Sequence, residues 1–142
     1  MIPAQSVPPQ GGEPDPTPTG PGPEPRIYRA PAGTAWVVRE PSPAPGTVVL
    51  SATGEFDVDT VVCLRRALAE ARRSGSRRTV LDISQIGFGD SSFLHELLTA
   101  HFADGRFVLA GPVPRQLKQL FAMTGTLRLF TIVKDRAVLG FA

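Results

Sequence analysis

The chain has 142 residues and 15 prolines, and the prolines are unevenly spread. Thirteen lie within residues 1–45, whereas all eight phenylalanines lie from Phe56 to Phe141. With a formal charge of +2 and one cysteine, this composition excludes a large multidomain enzyme, a collagen-like repeat and a disulfide scaffold.

A stretch without Phe and dense in proline cannot bury enough apolar area to offset the entropy of ordering. Residues 1–33 are therefore expected to be a disordered Pro/Gly-rich tail, partly polyproline II. Residues 34–142 are the size of one compact domain. Charge divides the same way. Residues 1–46 carry about −1 and the remainder, with 12 basic and nine acidic residues, about +3. The arginines come in pairs (Arg65-Arg66, Arg72-Arg73, Arg77-Arg78) and lack the dense stripe with interleaved aromatics of a nucleic-acid binder. A solvated helical face is the expectation, with no nucleic-acid partner. Cys63 alone cannot form an intrachain disulfide, which fits a reducing compartment. No apolar run reaches the ~20 residues that cross a bilayer. Met1–Gln5 lacks the basic start and apolar segment of a signal peptide. The expected location is cytoplasmic, with no membrane partner.

In chain order, Ala35–Arg39 and Thr47–Ala52 read as two strands of a hairpin, joined through Pro41, Pro43 and Pro45. Trp36 reads as edge packing ahead of a ligand anchor. After Gly54-Glu55-Phe56-Asp57, the apolar positions Val61, Leu64, Leu68 and Ala71 recur at helical spacing, and Ser74-Gly75 stops that helix. Cys63 falls on its flank as a small semi-buried residue. Thr79–Ile83 is a short buried strand, and Ser84–Gly89 a loop. A second helix carries Leu94, Leu97, Leu98 and His101 on one face and ends at Asp104-Gly105. Arg106–Gly111 is a strand. Pro114 opens a third helix with Val113, Leu117, Leu120, Phe121 and Thr124 aligned, and Gly125 closes it. Leu127–Val133 leads to a last strand, and a stub of helix follows Asp135. Alternating strands and helices after an opening hairpin argue an α/β layer structure.

Little of this points to catalysis. His95 and His101 are six apart, about 240° around a helix, and cannot share a metal. Gly87-x-Gly89-x-x-Ser92 is a broken dinucleotide fingerprint, and neither Ser91 nor Ser92 has the flanking pattern of a serine hydrolase. No enzyme activity, cofactor or metal is expected.

Asp90-Ser91-Ser92, at a loop-to-helix junction, admits two readings. Asp and Ser are strong N-cap residues, so the motif can be a cap alone. It can also be a switch. A serine hydroxyl at a helix start is reachable by a kinase, and a phosphate there adds about −1.5 to −2 charge. The helix dipole tolerates that charge while the surface a partner meets is changed. Asp90 and, if the chain folds it near, Asp57 would be unfavourable neighbours.

Three segments in order resemble one family. Gly54-Glu55-Phe56-Asp57 looks like its G-E-[LF]-D. Val80-Leu81-Asp82-Ile83, then Phe88-x-Asp90-Ser91-Ser92-x-Leu94, looks like V-L-D-L … F-x-D-S-S-G-L. Leu120–Phe130 looks like L-x-x-T-G-L-x-x-x-F. Together they resemble the STAS domain of bacterial anti-sigma factor antagonists, from about Trp36 to Val133. The resemblance implies a mixed β-sheet with helices mainly on one face and no catalysis. It implies a partner too: an anti-sigma factor of the histidine-kinase-like ATPase type, itself a serine kinase, whose capture frees a sigma factor. It places the phosphoacceptor on Ser91 and the partner surface on Asp57, Asp90, Ser91, Ser92 and Phe93. A STAS scaffold that binds another regulatory protein without phosphorylation is the alternative.

Three departures stand out. Phe93 and His95 replace two small glycines, and Phe93 is expected to project beside Ser91. Gly89 replaces an apolar residue, and Phe93 is expected to fill part of that gap. The second helix looks about one turn short, ending at Phe102-Ala103-Asp104-Gly105.

Overall fold

A computed structural model describes residues 26–42, 44–104 and 106–140. Within them, six strands form one sheet in sequence order: β1 (Arg26–Arg29), β2 (Ala35–Glu40), β3 (Thr47–Phe56), β4 (Arg78–Gly89), β5 (Phe107–Ala110) and β6 (Thr131–Val133). β1, β2 and β3 pair antiparallel, and β3 to β6 pair parallel. The parallel connections run through helices α1 (Val62–Arg73), α2 (Ser91–Asp104) and α3 (Arg115–Thr124). Right-handed crossovers that always step to the next strand on the same side keep every helix on one face. A continuous core joins that face to all three helices through Val37, Leu50, Phe56, Leu64, Leu81, Phe93, Leu97 and Phe121. The fold is the expected mixed sheet with one-sided helices.

The opposite face has a smaller cluster, Val49, Val80 and Ala110, covered by Ala44 and Leu139. A 3-10 turn, Arg136–Leu139, forms the stub expected after Asp135 and carries an ionic clamp. The Arg136 guanidinium holds both Glu40 carboxylate oxygens and donates from Nε to Asp82 Oδ2 at 3.0 Å. It thereby links β2 to β4 across β3. Arg136 holds the Glu40 carboxyl below its usual range.

The structure corrects several expectations. The tail was expected to reach residue 33, yet Arg26–Arg29 is a strand paired with β2, so the fold begins earlier. Tyr28 is buried and its hydroxyl donates to Glu70 of α1 at 2.7 Å; Arg26 pairs with the same carboxylate. A four-residue strand between prolines has no readable period, and only the open edge of β2 gives it a partner. Residues 1–25 of the expected tail lie outside the described residues. Ser84–Gly89, expected as a loop, continues β4, because β3 offers a parallel partner as far as Phe56↔Gly89, with register shifts at Ser51/Thr53 and Gly54/Glu55. Cys63 is not on a flank. It is 2 % exposed, and its thiol, pushed up by burial, donates to the Thr60 carbonyl at 3.2 Å.

Candidate functional site at the strand ends

The site lies where β3 and β4 end side by side. Phe56 is paired with Gly89, and the Asp90 N–H donates to the Phe56 carbonyl at 3.3 Å. Asp57 and Asp90 therefore leave adjacent strand ends. Asp57, 33 residues away in sequence, does fold close to the Asp90-Ser91-Ser92 motif.

Each aspartate organises its own helix start. Asp90 Oδ1 accepts from the Ser92 N–H at 2.8 Å and the Phe93 N–H at 3.3 Å, and its carbonyl accepts from Leu94 N–H at 3.0 Å. Asp90 is thus the N-cap of α2. Asp57 Oδ1 accepts from the Asp59 and Thr60 N–H groups at 2.9 and 3.0 Å. In return the Asp57 N–H donates to Thr60 Oγ1 at 2.9 Å, and that hydroxyl donates to the Glu55 carbonyl at 2.8 Å. This is a reciprocal cap of the capping-box kind, one turn ahead of α1. The main-chain donors of Thr60 and Asp59 hold the Asp57 carboxyl below its usual range. Thr60 was not among the sequence-derived site residues, although the Asp57-x-x-Thr60 spacing was there to be read.

Ser91 is the first residue of α2 and is exposed; Ser92 is half-buried. The N–H groups of Ser92 and Phe93 are already taken by Asp90. The segments that carry the two aspartates also expose apolar side chains: Val58 in the Asp57 turn, Val62 at the start of α1 and Phe88 near the end of β4. His95 is exposed one turn into α2.

Phe93 is not beside Ser91 at the surface. It is 0 % exposed and packs on Phe56, with ring centroids 5.7 Å apart. It occupies the space above Gly89, as expected. A Cβ at Gly89 would stand 2.6 Å from the Phe93 ring and 3.0 Å from Leu117. The large residue has moved from the strand to the helix, and the surface carries no extra ring. Gln116 completes the support. Its side-chain amide accepts from the Gly89 N–H and donates to the Gly89 carbonyl, both at 2.8 Å. Sequence reading missed Gln116 because its partner is 27 residues away, with no local pattern to mark it.

No cluster of three or more metal-ligating side chains occurs among the described residues. Nor is any helix among them long and apolar enough to cross a membrane.

Residues 41–132 match the family model described as Mlab, STAS domain. The chain belongs to this STAS domain family. No curated protein matches it significantly. The STAS domain is similar in fold to the crystal structure of an anti-sigma factor antagonist from Mycobacterium paratuberculosis, with TM-score 0.61 and 20% identity, over 73% of this chain and 92% of that one. It is also similar to the anti-sigma factor antagonist SpoIIAA in its unphosphorylated form, with TM-score 0.55 and 20% identity, over 71% and 95% of the two chains. The Bacillus cell fate determinant SpoIIAA in its phosphorylated form gives TM-score 0.53 and 18% identity, over 70% and 93%.

Proposed function

We propose that this STAS domain is an anti-sigma factor antagonist. It binds an anti-sigma factor of the histidine-kinase-like ATPase type, so freeing a sigma factor, and phosphorylation of Ser91 by that partner ends the interaction. The observation that carries this reading is the exposed Ser91 hydroxyl on the first turn of α2, beside the strand end that bears Asp57. Solved structures of similar fold include an antagonist in phosphorylated and unphosphorylated forms, which supports it.

The chemistry is one of surface charge. A phosphate on Ser91 would stand between two carboxylates already committed to caps, and would meet a partner shaped for a neutral hydroxyl. Each ~1.4 kcal/mol of repulsion weakens binding tenfold. Asp57, Asp90, Ser91 and Ser92 form the polar part of the contact, and Val58 and Phe88 its apolar rim. Phe93, being buried, acts only by supporting the strand end.

The test is incubation with the partner kinase and ATP, read by mass spectrometry. One phosphate on Ser91 is expected. Ser91→Ala should keep binding and lose ATP-dependent release, and Ser91→Asp should weaken binding. Phosphate on Ser92 alone counts against the reading. Binding that is insensitive to ATP, with no phosphate, would favour the non-phosphorylated scaffold instead.

A further inference from the structure

At the end of the strands opposite Ser91, where β3, β4 and β5 begin, three connections meet. They are the β2–β3 link at Pro45–Thr47, the α1–β4 loop at Ser76–Arg78, and Arg106 before β5. They line an open cleft of about 520 Å³. The frame is fixed by main-chain bonds. The Arg77 and Arg78 N–H groups both donate to the Gly46 carbonyl, at 2.7 and 3.0 Å, and the Thr79 N–H donates to the Arg106 carbonyl at 2.9 Å. Gly46 has φ +76°, and the Arg77 guanidinium lies over it, its Nε 2.8 Å from where a Cβ would stand. Arg72 and Arg106 also line a small adjoining hollow.

Residues 71–81 carry four arginines and no acid. Arg72 and Arg73, in the last turn of α1, already meet the negative end of that helix dipole. Arg77 and Arg106 lie beyond it. The ion pairs of Arg26, Arg65 and Arg136 include neither of these two. Like-charged guanidinium groups held on one frame repel, and a multivalent anion relieves that repulsion more fully than a monovalent one. Guanidinium forks match phosphate oxygens in pairs, and the Thr47 and Ser76 side chains add hydroxyls to the cleft wall.

We propose that this cleft binds a small anion carrying two or more phosphate groups, seated between Arg77 and Arg106. The site is independent of the Ser91 reading, since it lies at the opposite ends of the strands and involves no partner protein.

Titration of the full chain with inorganic pyrophosphate, followed by amide chemical shifts and calorimetry, tests it. Saturable binding is expected, with shifts centred on residues 45–47, 76–79 and 106. Arg77→Ala and Arg106→Ala, both at exposed positions, should each weaken it about fivefold or more. Arg128→Ala, which removes the same charge from another surface, should change it less than about twofold. A parallel ATP titration separates the sources. Tighter binding of ATP points to a nucleotide, and equal binding to the phosphates alone. Absence of saturation with both probes, or equal weakening by Arg128→Ala, overturns the proposal.

Discussion

Phe93 and Gly89 share one volume beneath the candidate site. Gly89→Ala would push a methyl into the Phe93 ring and Leu117, an overpacking that costs about 1–3 kcal/mol. Phe93→Ala would leave a cavity against Phe56 and cost about 3–5 kcal/mol. The double variant should lose less than the sum, because each change relieves the other. Urea denaturation of the four proteins measures this, and strictly additive losses would show that the two positions do not compete for space. Asp57 separates two roles in the same way. Its Oδ1 holds the Thr60 turn, so Asp57→Asn keeps an acceptor there and loses only the charge. Asp57→Ala loses both and should melt below Asp57→Asn. Thermal melts should therefore separate Ala from Asn, while partner-binding assays should show both variants altered if the charge faces the partner.

At the scale of elements, the Arg136 clamp ties the 3-10 turn to β2 and β4, and its pH dependence has a definite sign. Glu40 has its folded-state pKa held below the ordinary 4.5, by hydrogen bonding to Arg136 first. A depressed carboxyl contributes stability that is fully present above the unfolded value and is lost as pH falls through the folded one. Acid titration of stability should accordingly show a loss below about pH 4.5 that is smaller in Arg136→Ala. Equal acid sensitivity in the two proteins would remove the clamp from the account. The same clamp explains Asp82. In the sequence it is one letter of a resemblance; in the fold it accepts from Arg136 and from the Ser84 hydroxyl.

For the whole molecule, β1 decides where the domain begins. A chain starting at Thr34 would lose Tyr28 and Ala30 from the core, lose both contacts to Glu70, and leave β2 as a bare edge. Relative to a chain starting at Arg26, it should be less stable by roughly 3 kcal/mol, the order of a deleted buried aromatic. Differential scanning calorimetry of the two truncations checks this, and equal melting temperatures would make β1 an ornament of the sheet. The sheet then presents two strand ends with different chemistry. Hydroxyl and carboxylate groups stand at the ends of β3 and β4, and arginines stand at their beginnings.

The sequence by itself determined the elements whose signals are local. The three helices were legible from apolar spacing and the Gly125 stop, and the opening hairpin from β-branched runs broken by prolines. Asp90 was legible as a cap because an N-cap bonds within its own turn. What required tertiary structure was everything whose partner is distant. The strand at Arg26–Arg29 exists because β2 has an open edge, and β4 extends to Gly89 because β3 runs beside it. Phe93 faces inward because Gly89, four residues earlier, leaves room that only the strand-to-helix turn brings under it. Gln116 reaches Gly89 at one end of the strands, and Arg106 comes to line one cleft with Arg77 at the other, only when crossover connections bring separate loops together. A hydrogen bond within a turn is written in adjacent residues, whereas shared volume and gathered charge arise only when the sheet has formed.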